Sequence, residues 1–199
     1  MQIKMIAIGA SAGGISAFQK ILSSLRGDFQ IPIVMVQHLS ARSNGPHGMG
    51  IQRYTSLKVR EIEDKMPLEK GGVYLCPPGY HVLLEKDSCF ALSVDEPVHF
   101  SRPSIDVFFE SAASVFAKAL TGVLLTGANE DGALGLFEIK KRGGITIVQS
   151  PQTAELSMMP SSAIKIFQPD LILDLAEISA FLNRLMQRKG AYEDQHPRG

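Results

Sequence analysis

Three residues of this 199-residue chain pair a chemically capable side chain with a position where an apolar run ends. Ser11 lies in Gly9-Ala10-Ser11-Ala12-Gly13-Gly14, which matches a GxSxG pattern between a strand-like run and a helical one. A serine on such a turn stands at the edge of the sheet, where a helix N-terminus and the amide of Ala12 can stabilise an oxyanion. The same residues also suit a capping serine or a phosphate-cradling turn of dinucleotide-binding type. His38 follows the second apolar run, in Gln37-His38, where a dinucleotide domain carries a ribose-binding acid. In an open α/β sheet that end lies beside the end of the first strand, so His38 is a candidate general base for Ser11, with a loop-bonded histidine as the plainer alternative. The carboxylate best placed to orient the imidazolium is Asp131, in Thr126-Gly127-Ala128-Asn129-Glu130-Asp131-Gly132; Glu130 is the second choice, and capping the next helix is the ordinary role of such an aspartate. The order serine, histidine, aspartate differs from that of α/β-hydrolases and disfavours the usual lipase or esterase fold.

The elements that must position these residues alternate. Ile3 to Ile8 reads as a strand; Ile15, Phe18, Ile21, Leu22 and Leu25 recur at helical spacing; Ile33 to Val36 reads as a second strand. Gly122 to Leu125, a helix from Ala133 to Lys141, strands at Ile145 to Val148 and Leu171 to Leu173, and a helix from Glu177 to Gln187 follow the same logic. This is the signature of a parallel sheet covered by helices on its faces. The middle differs: Lys58 to Ile62, Val73 to Cys76, His81 to Glu85 and Phe90 to Val94 are strand-like runs separated by turns, read as an antiparallel excursion with its tip at Lys86-Asp87-Ser88. Ser104 opens a helix whose apolar face is Ile105, Phe108, Phe109, Ala112 and Phe116.

Composition bounds the function. Twenty basic residues balance twenty acidic ones, which argues against broad attraction to nucleic acid or anionic lipid. No GxxxxGK[ST] occurs, so a P-loop kinase or ATPase is unsupported. His47, His81 and His99 lack ligand-like spacing, so no metal is assigned, and Cys76 and Cys89 form no CxxC pair. The N-terminus lacks the apolar stretch of a signal peptide, and no apolar run approaches the ~20 residues that span a bilayer. The expected location is the cytoplasm.

The ordered set IGASAGG from Ile8, VQH from Val36, VREIEDKMPLEKGGVYLCPPGYH from Val59, RPSIDVFFES from Arg102, LLTGANEDGALG from Leu124 and GGITIVQ from Gly143 resembles the catalytic domain of the CheB family, bacterial chemotaxis protein-glutamate methylesterases, over about residues 3 to 185. The resemblance implies a three-layer, doubly wound, mostly parallel α/β sheet with an antiparallel hairpin, and a catalytic domain over 1–188 followed by a polar tail at 189–199, with no receiver domain ahead of the first strand. It implies a serine hydrolase that removes methyl esters from glutamate side chains of chemoreceptors, releasing methanol, and in many members also deamidates receptor glutamines. Ser11 would be the nucleophile, His38 the base and acid, Asp131 its orienter, and the amides of Ala12 and Ala128 the oxyanion donors. Arg102 and Ser104 would lie near the mouth of the cleft and contact substrate. No metal or organic cofactor has a part. Expected partners are the cytoplasmic regions of methyl-accepting chemotaxis receptors and a separate regulatory domain.

The sequence departs from the family pattern at three places. Ala12 stands where threonine is usual, Gly127-Ala128-Asn129 replaces a glycine-methionine-glycine turn, and the loop LSARSNGPHGMG after His38 lacks the familiar aromatic segment. Asn129 is expected to take a left-handed conformation so that the turn survives. An altered turn keeps open a second function, a catalytically weak receptor-binding module within a signalling complex. A nucleotide-binding domain is the third, weakened by His38 at the position of the acid.

Overall fold

The computed structural model describes residues 2–38 and 47–187. Its first half runs β1 (Met5–Ala10), α1 (Gly14–Ser23), β2 (Ile33–Gln37), α2 (His47–Gln52), β3 (Lys58–Glu61), β4 (Gly72–Leu75), β5 (His81–Leu84) and β6 (Phe90–Ser93). The second half runs α3 (Ile105–Phe116), β7 (Leu120–Leu124), α4 (Ala133–Lys141), β8 (Ile145–Gln149), α5 (Met158–Ile166), β9 (Leu171–Leu173) and α6 (Leu175–Gln187).

Every residue of β1, β2, β4 and β7 is buried, as continuous apolar runs require when a strand is covered on both faces. Seven strands pair in the order β3-β4-β2-β1-β7-β8-β9, all parallel. On one face α1 sets Phe18, Ile21 and Leu22 beside Ile178 and Leu182 of α6. On the other, Phe108 and Phe109 of α3 pack with Leu136 and Ile139 of α4, Met159 of α5, and Val82 and Phe90 of the hairpin. The result is the expected three-layer, doubly wound α/β architecture. The chain leaves β1 in one direction across the sheet and returns through β7 in the other, so the switch point lies between the carboxyl ends of β1 and β7.

The antiparallel part is smaller than the sequence suggests. Among the strands of the described residues only β5 and β6 pair antiparallel; β3 and β4 join the parallel sheet. The turns between those runs suggested hairpins, yet the link from 62 to 71 is a crossover without a helix. Its backbone is satisfied instead by the hairpin, with Lys65 N bonded to Phe90 O, Leu68 N to Ser88 O and Phe90 N to Met66 O at 2.8–3.0 Å. Two helices, α2 and α5, were not expected; α5 carries Pro160 in its first turn, where proline is tolerated. No helix among the described residues is long and apolar enough to cross a membrane. The expected tail at 189–199, residues 39–46 of the family-divergent loop at 39–50 and the expected boundary at 188 lie outside the described residues, while the end of that loop, 47–50, begins α2.

Candidate functional site

The register places the three candidate side chains on one rim. Ala10 is opposite Gln37, so the next residues, Ser11 and His38, leave adjacent strands together, and His38 N bonds Ala10 O at 3.2 Å. On the other side Ser11 N bonds Thr126 O at 3.0 Å, which brings the β7–α4 loop alongside.

That loop delivers Asp131. Its carboxylate is fully buried and accepts four hydrogen bonds. Oδ1 takes Ser104 Oγ at 2.8 Å and Asp106 N at 3.1 Å, and Oδ2 takes Ile105 N and His38 Nε2, each at 2.7 Å. Asp131 therefore caps α3 and not α4, whose own N-cap is Gly132 at φ 91° with no side-chain cap. Burial opposes the charge of Asp131, but the bonds from His38 and from the Ile105 and Asp106 amides outweigh it and hold the carboxyl below its ordinary value. An ionised Asp131 fixes the neutral His38 tautomer, with the proton on Nε2 and a bare lone pair on Nδ1.

The N-terminus of α3 reaches this far into the rim because glycine lets it. A Cβ on Gly9 would lie 2.4 Å from Ile105 Cγ2, and one on Gly132 would lie 2.6 Å from the same atom. His81 completes the support: its Nε2 donates to Glu96 O at 3.0 Å, leaving Nδ1 to accept Ser104 N at 3.2 Å.

Ser11 is held by its backbone alone. Its carbonyl accepts Gln37 Nε2 at 2.8 Å, and the same amide reaches His38 O at 3.1 Å. The helix N-cap is Gly13 at φ 79°, without a side-chain cap, so Ser11 is not a capping serine. Among the described residues, Ser11 Oγ makes no hydrogen bond. The expected contact with His38 is not formed. His38 Nδ1 instead faces Ser101 Oγ at 3.2 Å, and one lone pair takes one strong donor. Ser101 gave no sequence signal, since a tight turn at residues 98–101 delivers it.

Of the expected oxyanion donors, Ala12 follows the serine directly, and Ala128 lies two residues past Thr126, whose carbonyl accepts Ser11 N. Ala12 and Ala128 are exposed, their amides have no acceptor among the described residues, and Thr126 Oγ1 ties the two loops by donating to Ala12 O at 3.0 Å. Gln149 Oε1 fixes Thr126 from below, accepting its amide at 2.9 Å. Asn129 does not take the expected left-handed conformation. Its Oδ1 accepts Asp131 N at 3.3 Å, and Gly132 supplies the positive φ.

The two residues expected to contact substrate also have partners within the chain. Ser104 is fully buried, and its hydroxyl donates to Asp131. Arg102 spends Nη1 on Val94 O at 2.7 Å and Asp95 O at 2.9 Å, anchoring the strap after β6. Spacing also concealed a cluster: His99, Asp106 and Asp131 bring one donor atom each within 4.8 Å of one another. Both carboxylates already accept internal bonds, Asp106 from Gly135 N at 2.6 Å, so the group reads as a hydrogen-bonded network. Burial pushes the Asp106 carboxyl up to about 6, against the Gly135 bond and with the help of nearby Asp131.

A cleft of about 430 Å³ lined by Gln2, Lys4, Gln30, Phe116 and Leu185 opens at the amino end of the sheet, opposite this rim. It gathers no comparable set of reactive groups, and ligands of open α/β sheets bind at the carboxyl ends of the strands.

Fold and rim together define a doubly wound α/β domain whose switch point carries a serine turn beside a buried histidine–aspartate pair. Residues 6–182 match the family model described as CheB methylesterase, and the chain belongs to that family. It is 49% identical over 187 residues to a protein of Leptospira interrogans serogroup Icterohaemorrhagiae serovar copenhageni (strain Fiocruz L1-130), "Putative protein-glutamate methylesterase/protein-glutamine glutaminase", covering 94% of this chain and 97% of that protein. It is 38% identical to "Protein-glutamate methylesterase/protein-glutamine glutaminase 1" of Carboxydothermus hydrogenoformans, over 88% of this chain and 53% of the relative. The chain thus spans about half the length of several of its curated relatives. The crystal structure of the Thermotoga maritima CheB methylesterase catalytic domain superimposes with a TM-score of 0.87 at 30% identity, covering 93% of this chain and all of that one.

Proposed function

We propose that the protein is a protein-glutamate methylesterase that acts on the cytoplasmic regions of methyl-accepting chemotaxis receptors, in the cytoplasm, and that it also deamidates receptor glutamines. The observation that carries this reading is the 2.7 Å bond between His38 and a fully buried, ionised Asp131, one strand away from a serine whose hydroxyl makes no hydrogen bond among the described residues. The membership of the CheB family and the names of its relatives supply the substrate class.

In this mechanism His38 Nδ1 takes the hydroxyl proton as Ser11 Oγ attacks the ester carbonyl, and the amides of Ala12 and Ala128 receive the oxyanion. The imidazolium, stabilised by Asp131, returns the proton to the departing methoxy oxygen, and methanol leaves an acyl-enzyme on Ser11. Water attacks that ester with His38 again as base, releasing glutamate and restoring the serine. Deamidation follows the same path with ammonia as the leaving group. Activation requires Nδ1 to exchange Ser101 for Ser11, and catalytic hydrogen bonds often form only once substrate is bound. Control by a separate regulatory domain would act on access to this rim.

The bond from Ser101 to Nδ1 favours a second reading, a receptor-docking module with little turnover. Methanol release from methylated receptor fragments separates the two. The esterase reading expects release that disappears in Ser11→Ala; binding of the fragments with no release in the wild type would reject it.

A further inference from the structure

Phe100 breaks two local rules at once. Val98 and Ser101 close a two-residue turn with both backbone bonds, Val98 N to Ser101 O at 3.2 Å and Ser101 N to Val98 O at 2.8 Å. The residues inside it, His99 and Phe100, have φ of 48° and 60°. A turn with both central residues left-handed favours Asn-Gly, because bulkier L side chains crowd the backbone there. This chain places an imidazole and a phenyl ring instead. The ring is also fully solvated, at 104% relative exposure, and so gains no packing in return. A residue that costs stability in both backbone and solvation points to what it meets on the outside.

Its position says what that is. The next residue, Ser101, touches His38, and the preceding one, His99, lies 3.6 Å from Asp106 and 3.7 Å from Glu130. Three further exposed apolar side chains stand on the same rim. Leu134 is three residues past Asp131, Leu156 bonds Thr126 and Gly127 through its backbone, and Met158 opens α5 beside Met159, whose amide bonds Gly127 O. Single exposed apolar residues are ordinary, but four around one reactive rim mark a contact surface.

We propose that Phe100 is the anchor, and Leu134, Leu156 and Met158 the surrounding collar, on which the ester-bearing protein docks through apolar side chains flanking the modified glutamate. The proposal rests on the hydrolase reading above. A surface seated on Phe100 lies one residue from Ser101, which bonds His38 Nδ1, so a permanent partner there would crowd the base, whereas a substrate delivers its ester to it. Aromatic anchors of this kind dominate the energetics of protein recognition.

The test is Phe100→Gly in the full chain, a change that relieves the backbone and so cannot fail by preventing folding. Thermal midpoint is expected to hold or rise, and the rate at which a small fluorophosphonate labels Ser11 to stay within twofold of the wild type. The kcat/KM for methanol release from a methylated receptor fragment is expected to fall at least tenfold, mostly through KM, with recovery in Phe100→Tyr. Receptor turnover within twofold of the wild type would overturn the proposal, as would an equal fall in labelling and turnover. Sedimentation showing a wild-type dimer that the variant loses would assign the ring to a second copy of the chain and also overturn it. A wild type that is labelled but indifferent to Phe100→Gly defeats the docking surface alone; a wild type that neither reacts nor releases methanol defeats the hydrolase reading, and the docking surface with it.

Discussion

Asp131 receives four hydrogen bonds in a fully buried socket, whereas Ser11, on the turn beside it, is half-buried with a hydroxyl bonded to nothing among the described residues. The two lie on one rim and are built in opposite ways. The socket is part of what holds the fold together: it ties β2, the β7–α4 loop and the start of α3, and removing any donor leaves a buried charge less satisfied. The serine turn is held only through its backbone, so its side chain is left for chemistry. In the proposed mechanism, orientation of the base is thus set by folding, while the nucleophile stays uncommitted until a substrate arrives.

The largest expected effect breaks the comparison cleanly. Ser11→Ala should lower kcat for methyl release by at least ~10³-fold while leaving the thermal midpoint nearly unchanged, because its hydroxyl makes no hydrogen bond among the described residues. Asp131→Asn should cost both, about 10⁴-fold in kcat and ~2–4 kcal/mol in urea unfolding, since an amide presents only one acceptor oxygen to four donors. Ser104→Ala should cost ~1–2 kcal/mol of stability and about tenfold in kcat, by removing one donor to Asp131 and the cap of α3.

The smallest effect concerns Asp106. Its carboxyl is raised to about 6, so between about pH 4 and 6 the folded protein binds more protons than the unfolded chain, and stability falls as pH rises through that window. Asp131 works in the opposite sense, contributing stability that is present above the ordinary carboxylate range and lost as pH falls below it. Asp106→Asn keeps an acceptor for Gly135 N, and urea midpoints measured at pH 4.5, 5.5 and 7 should show a flatter slope than in the wild type.

The three candidate residues of the rim were legible in the sequence because each sits at a strand end, with glycines after Ser11 and Gly132 after Asp131 as punctuation. The helix start at Ser104 was legible too, but its burial was not, since burial depends on how closely Ile105 approaches Gly9 and Gly132. Ser101 was invisible, because its place depends on a left-handed turn built from His99 and Phe100, residues that do not announce one. The amides of Gln37 and Gln149 were likewise hidden, as their partners lie on neighbouring strands and loops. The parallel pairing of β3 with β4 escaped notice because a hairpin, and not a helix, satisfies their crossover.

The central claim is that His38 and Asp131 activate Ser11. Incubating the protein with a serine-directed fluorophosphonate and locating the adduct by mass spectrometry tests it most directly. The account predicts a single adduct on Ser11 that is absent in His38→Ala. An adduct on Ser101, the hydroxyl that meets His38 in this structure, or an unmodified protein, would contradict it.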